Sequence, residues 1–323
     1  MILKLKQNIK GKNIRIVFPE GSEPRVLEAV AMLLKEDLVT PILLGEKKEI
    51  LKMLENYNID KTKVEIIEPE TYSQKEEMLN MLKVIRKDKN TEEELRTWIK
   101  QNNYFGVLLV KQEYAHGMVG GALYPTKDII KPAFQIIKTK ENVNKASSVM
   151  ILLKNNEIYF MADCAIQEIP TSDDLAEIAI QTANTVREFG FIPKVSLLSH
   201  STKGSASGEL VDKVKFAIKK LDELKVDFLY DGEHQFDTAI EEEIKKLKDK
   251  SPRFSGVSNT FIFPDIQSGN IGYKIARSLG GFKAIGPIMQ GLNAPINDLS
   301  RGCTAEEIYD IVIITANQAL KRG

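Results

Sequence analysis

Asn297, Asp298, Ser300 and Arg301 fall within five consecutive positions, just ahead of a run from 304 to 320 with helical apolar spacing. A planar guanidinium, a hydroxyl and a helix N-terminus together suit a phosphate or another oxyanion. Gly286, Gly291 and Gly302 let the backbone of this stretch turn and let a ligand come close, while Pro287 and Pro295 stiffen it. The same residues also read as an ordinary polar connection carrying a surface arginine. A second stretch, Ser199-His-Ser-Thr-Lys-Gly-Ser205, has the composition of a phosphate cradle, with Ser199, Thr202, Lys203, Gly204 and Ser205 as its donors. That composition is equally plain turn chemistry. Asp231, Glu233 and His234 hint at a metal, but without a fourth ligand they read better as a hydrogen-bonded loop. Cys303 sits where a helix N-terminus would activate a thiol. No histidine stands near it in sequence, so a packed thiol is the simpler reading. The chain has three histidines, which argues against a histidine dyad, and His116 reads as structural.

The elements that must position these groups follow from periodicity. Asn13–Phe18, Thr40–Leu44 and Val64–Ile67 alternate and are β-branched, so they read as strands. Helical spacing over 25–34 and 47–57 separates them. This β-α-β-α-β rhythm predicts a parallel sheet flanked by helices. Residues 74–102 are helical and broken at Arg86–Asn90, and Thr91-Glu-Glu-Glu94 has the form of a capping box. Residues 104–112 fit helix and strand equally. His116–Ala122 reads as a strand, and 126–138 as a helix containing Pro132. Beyond a polar boundary at 139–145, strands are expected at 147–153, 158–166, 194–199, 227–230 and 259–263. Helices are expected at 173–189, 209–222, 237–248 and 271–279. The strand at 284–288 and the helix at 304–320 would return to complete the first domain. The expected domains are thus 1–143 with 287–323, and 144–286. The loops 199–208, 231–237, 264–270 and 292–303 all follow strands, where open α/β sheets bind ligands. Neither Gly-x-Gly-x-x-Gly in the first turn nor a Walker-type loop is present.

Composition narrows the class. The 323 residues favour two domains, and 43% hydrophobic with 28% charged residues is globular usage. Lys and Arg, 45 in total, balance 45 Asp and Glu, which disfavours nucleic-acid or membrane-surface binding. Two cysteines cannot make a disulfide framework and fit a reducing cytoplasm. The N-terminus is too interrupted by lysine for a signal peptide, and no apolar run approaches a membrane span.

Several stretches taken together, in order, carry a resemblance: Asp128–Thr139, Phe160–Ala165, Leu198–Ala206, Asp231–Gln235, Phe261–Asp265, Ser268–Lys274 and Pro295–Cys303. In these the chain resembles the phosphate acetyltransferase (phosphotransacetylase) family, from Phe18-Pro-Glu-Gly21 to the last helix. The resemblance implies acetyl transfer between acetyl phosphate and coenzyme A, with coenzyme A as a substrate, no cofactor and no metal in the chemical step. It also implies a homodimer of two α/β domains with mainly parallel sheets, isocitrate/isopropylmalate dehydrogenase-like, and an active site in the cleft between domains. Ser300 and Arg301 match the family pair that contacts acyl phosphate, and Arg86 an arginine near the phosphate or coenzyme A. Lys131 stands where the family has another arginine; it keeps the charge and loses the bidentate fork. Glu307 stands where the family has an aspartate proposed as general base. It also completes Thr304-Ala-Glu-Glu307, a capping-box pattern, so base and cap compete for one side chain. Three rivals remain: a phosphate butyryltransferase, a dehydrogenase on the same fold, and a non-catalytic relative.

Overall fold

The computed structural model describes residues 1–321. Helix α1 (Ile2–Ile9) opens the chain, because the lysines leave Leu5 and Ile9 on one face to be buried. Strand β1 (Arg15–Phe18) is followed by α2 (Pro24–Lys35), whose Pro24 starts the helix. Then come β2 (Thr40–Leu44), α3 (Lys47–Asn56), β3 (Glu65–Ile67), α4 (Lys75–Arg86) and α5 (Glu92–Trp98). The capping box of Thr91 and Glu94 forms as its spacing predicts. The ambiguous segment is helix α6 (Asn102–Lys111), buried continuously from Asn103 to Val110. A helix buried all round shows no amphipathic period, which is why its sequence fits either element. Strand β4 (Gly117–Gly120) and α7 (Thr126–Pro132) follow. A π-helical turn, Ala133–Ile137, continues the helical run directly past Pro132, so the proline sits where the run changes from α to π.

A hairpin of β5 (Ser147–Lys154) and β6 (Glu157–Ala162) comes next, then α8 (Ser172–Glu188), β7 (Lys194–Leu198) and α9 (Glu209–Leu224). Strand β8 (Leu229–His234) corrects the expected 227–230: Asp231, Glu233 and His234 lie within the strand and not in a loop after it. The single helix expected at 237–248 is two, α10 (Phe236–Ile240) and α11 (Glu242–Lys248). After β9 (Thr260–Ile262), α12 (Ile266–Ser278) starts five residues earlier than expected. There the Ser268 amide donates to Asp265 Oδ1 at 2.8 Å and caps the helix. Strand β10 (Lys283–Gln290) pairs antiparallel with β5, so it belongs to the second sheet and does not return to the first. Its place in the first sheet is taken by β11 (Ile296–Asp298), three residues inside the expected loop 292–303, before α13 (Ala305–Leu320).

Close contacts divide the chain into two units, Met1–Lys140 with the segment from Leu292, and Glu141–Gly291. The first holds a parallel sheet in the order β11-β4-β1-β2-β3, and the second a mixed sheet in the order β10-β5-β6-β9-β7-β8. Ile16, Val17 and Phe18 of β1 are fully buried, as a strand covered on both faces requires. In the first sheet the chain starts at the centre and later crosses to the other side. Strand order therefore reverses between β1 and β4, and the loops beyond their carboxyl ends flank the ligand crevice of such sheets. Among the described residues no helix is long and apolar enough to cross a membrane.

Candidate functional site

The carboxyl edge of β11 delivers the first set of candidate residues. Asn297 and Asp298 end that strand, and both are buried. Asn297 Nδ2 donates to Thr315 Oγ1 and to Gln318 Oε1, each at 2.8 Å, so its side chain braces β11 against α13. The Asp298 carboxylate is almost wholly buried and its Oδ1 has no hydrogen-bond partner. Burial pushes this carboxyl up to about 7. The negative charge of Glu20 adds to the rise, and the Thr126 hydroxyl and the Leu299 amide draw it part of the way back. Two residues on, the chain turns out: Ser300, Arg301 and Gly302 are exposed, and Arg301 presents its guanidinium at the surface. The Gly302 amide donates to Ser300 Oγ at 3.3 Å. Cys303 is buried, and burial pushes its thiol up to about 11, so it is no thiolate at neutral pH. The capping box forms here as well. The Glu307 amide donates to Thr304 Oγ1 at 3.3 Å, and the Thr304 amide to Glu307 Oε2 at 3.1 Å.

Lys131 lines a cavity of about 620 Å³ in the same unit, with Trp98, Lys100, Tyr104, Tyr124 and Asp128. Arg86 is not on its wall and reaches it only through the Trp98 ring. Arg86 ends α4, where its Nε donates to Asn90 Oδ1 at 2.9 Å and its guanidinium lies 5.7 Å from the Trp98 ring centre. Trp98 stacks on Tyr104 at 4.5 Å, and the Tyr104 hydroxyl donates to Gln135 Oε1 at 2.8 Å. Burial pushes that phenol up to about 12 and keeps it a donor. The cavity thus has two lysines, Lys100 and Lys131, and one carboxylate, Asp128, on its wall, with the Arg86 guanidinium against the Trp98 ring. The balance of charge is positive and suits an anionic ligand.

Ser199, Thr202, Lys203, Gly204 and Ser205 lie together beyond β7 in the second unit, and an internal carboxylate fills their turn. Glu233 Oε1 accepts from the Gly204 amide at 2.7 Å and from Ser201 Oγ at 3.0 Å. Ser205 Oγ accepts from the Thr202 amide at 2.9 Å, and Ser199 Oγ from the Ser201 amide at 3.1 Å. Lys203 pairs with the buried Asp231. The Gly204 amide and the Lys203 ammonium are therefore already committed as donors inside the unit, while the Ser199 and Ser205 hydroxyls serve the turn as acceptors.

Asp231, His234 and Asp249 form the one group among the described residues with metal-ligand proximity. Each donor atom is engaged. His234 Nε2 lies 3.1 Å from Asp249 Oδ2, its Nδ1 2.8 Å from Ser196 Oγ, and Asp231 Oδ2 accepts from the Arg253 amide at 2.8 Å. Burial lowers the imidazole pKa and favours its neutral form. Ser196, His234 and Asp249 stand in the order of a hydrolytic relay, but all three are buried and no substrate can reach the hydroxyl. This network holds β7, β8 and the segment after α11 together. His116 is structural too, its Nδ1 accepting from the Arg15 amide at 2.9 Å.

Two residues not singled out by the sequence bear on the exposed turn. Arg25, in the first turn of α2, bonds it directly, and Glu20, on the connection from β1 into α2, holds the loop after β4 to which Arg25 ties it.

Residues 1–316 match the family model described as phosphate acetyl/butaryl transferase. A phosphate acetyltransferase of Bacillus subtilis is 46% identical over 316 residues, covering 98% of each chain. A phosphotransacetylase crystal structure from Streptococcus pyogenes superposes with a TM-score of 0.94 at 46% identity, covering 98% of this chain and 97% of that one. A 4-hydroxythreonine-4-phosphate dehydrogenase from Klebsiella pneumoniae, 10% identical with a TM-score of 0.54 over 94% of this chain and 98% of its own, shares the fold alone.

Proposed function

This chain belongs to the phosphate acetyl/butaryl transferase family, and from that premise we propose that it moves an acetyl group between acetyl phosphate and coenzyme A. The observation that carries the reading is the 46% identity, end to end, to a protein named for acetyl transfer. The position of Ser300 and Arg301 supports it: an exposed hydroxyl and guanidinium follow β11, beside the point where strand order reverses.

In the reaction the coenzyme A thiol gives its proton to a carboxylate, which we assign to Glu307, directly or through water. The thiolate attacks the acetyl carbonyl carbon. The new C–S bond forms as the C–O bond to phosphate breaks, and phosphate departs with the electron pair. Arg301 faces the charge on the leaving phosphate, and Ser300 donates to the carbonyl or phosphate oxygen as charge develops. Arg86 and Lys131 hold anionic groups of the substrates. No acyl-enzyme is needed, since transfer is direct in a ternary complex, and coenzyme A is consumed as a substrate with no resident cofactor or metal. In the same reading the enzyme is a cytoplasmic homodimer, which sedimentation analysis of the purified protein tests.

The experiment is thioester formation from coenzyme A with acetyl phosphate or butyryl phosphate, in chelator. Faster turnover of acetyl phosphate is expected. Faster turnover of butyryl phosphate would keep the chemistry and move the substrate to the other acyl length in the family description. No thioester from either, with folded protein, defeats the reading.

A further inference from the structure

Glu20, on the connection from β1 into α2, and Arg25, in the first turn of α2, are charged side chains that the reaction scheme above does not use. Glu20 is buried, and its carboxylate accepts four successive backbone N–H groups from the loop after β4. Gly121 and Ala122 donate to Oε2 at 3.0 Å each, and Leu123 and Tyr124 to Oε1 at 2.6 and 2.9 Å. Consecutive amides converging in this way make an anion nest, and here the anion is supplied from within the chain. Arg25 works from the first turn of α2, where its Nε also pairs with Glu23. Its Nη2 donates to the Ala122 carbonyl at 2.9 Å. Its Nη1 donates to the Arg301 carbonyl at 2.8 Å and to the Cys303 carbonyl at 3.1 Å. One guanidinium therefore fastens the exposed turn after β11 to the loop that Glu20 immobilises.

The chemistry of the tether decides its role. Ser300, Arg301 and Gly302 are exposed, and an exposed turn would otherwise sample many backbone conformations. A guanidinium is a rigid fork with enough donors to serve three carbonyls, and an ammonium cannot span them from one position. We propose that Arg25 is a positioning residue for acyl transfer: it fixes the backbone of Arg301 to Cys303, on the loop anchored by Glu20, so that the Ser300 hydroxyl and Arg301 guanidinium are held where charge develops. The proposal rests on the assignment of Ser300 and Arg301 to the reacting groups. A tether of this kind acts on the rate of the bound complex, since a displacement of about 1 Å in a reacting group costs on the order of 100-fold. It leaves ground-state affinity largely untouched.

The test compares full-length Arg25→Lys, Arg25→Ala and Arg301→Ala proteins by kcat, by KM for both substrates, and by thermal unfolding. Arg25→Ala is expected to lower kcat by roughly 10- to 100-fold, with Arg25→Lys close behind and both KM values held, following the positioning argument. Wild-type kcat in Arg25→Lys would overturn the fork argument. A loss carried mainly by KM for acetyl phosphate would mean that Arg25 binds substrate itself. Unfolding of Arg25→Lys at the assay temperature would reduce Arg25 to a structural residue. Full activity in Arg301→Ala, by contrast, would defeat the underlying assignment whatever the Arg25 variants do.

Discussion

Asp298 rests its unpartnered Oδ1 against the backbone of Gly121, so closely that a Cβ on Gly121 would lie 2.4 Å from that oxygen. The same Cβ would lie 2.8 Å from the amide nitrogen and from the carbonyl oxygen of Leu299. The loops after β4 and β11 are thus in backbone contact, and only glycine permits it.

Gly121 also has a φ of +112°, a region that side chains rarely enter. Gly121→Ala should combine strain with a clash against backbone that cannot rotate away. A loss of about 3 kcal/mol is expected, within the range for special backbone positions. Thermal unfolding followed by circular dichroism reads it, and a melting temperature equal to wild type would show that the two loops can part.

Asp298 makes stability depend on pH with an unusual sign. Its carboxyl is raised from the ordinary 3.8 to about 7, chiefly by burial and then by the charge of Glu20. Between about pH 4 and 7 the folded chain holds a proton that the unfolded chain has released, so this group's contribution falls as pH rises through that window. Across the whole window, at about 1.4 kcal/mol for each pH unit, the effect is of order 4 kcal/mol. Asp298→Asn keeps the shape and removes the titration. Its stability relative to wild type, from urea unfolding at pH 5 and pH 8, should improve at the higher pH. A difference that stays flat between the two would leave Asp298 ionised in the folded chain.

Cys303 stands two residues after Arg301, but its burial argues against a role as nucleophile. Its thiol is buried, and burial pushes it to about 11 despite Arg25 nearby. Cys164 is buried too, its thiol pushed well above the usual value. Cys303→Ala should keep most of the thioester-forming activity, and a thiol reagent should label the folded protein slowly. Inactivation of a folded Cys303→Ala protein would bring back a covalent acyl-enzyme.

How much of this is legible in the sequence depends on the distance between partners. The strands at 15–18 and 40–44 and the capping boxes of Thr91 and Thr304 are local, written in runs of four to six residues. The bonds by which Glu20 and Arg25 join distant loops are not legible, because the backbone groups they reach lie 101 to 104 and as many as 278 residues away. The cradle composition of 199–205 does not foretell Glu233, for composition names donors and says nothing of which acceptor fills them. Strand β8 is hidden for a related reason. Asp231, Glu233 and His234 look like a turn, and distant partners make them tolerable inside a sheet: Lys203 and the Arg253 amide for Asp231, the Gly204 amide and Ser201 for Glu233, and Ser196 and Asp249 for His234. Strand β11 is three residues long and gains its identity from register with β4, which no local pattern encodes.

Glu307 is the residue on which cap and base must be told apart. Its carboxylate accepts from the Thr304 amide at 3.1 Å, but a carboxylate has further acceptor sites, and capping alone does not exhaust them. Gln at this position still completes a capping box and cannot take a proton. Glu307→Gln should therefore unfold near the wild-type temperature while its kcat falls by on the order of 100-fold or more, the scale of lost general-base catalysis. Thr304→Ala gives the converse. It should cost about 1 kcal/mol of stability, as loss of an N-cap does, and leave most of the activity. If Glu307→Gln turned over at the wild-type rate, the carboxylate would be a cap alone, and the proton of the thiol would have to leave by another group or by water.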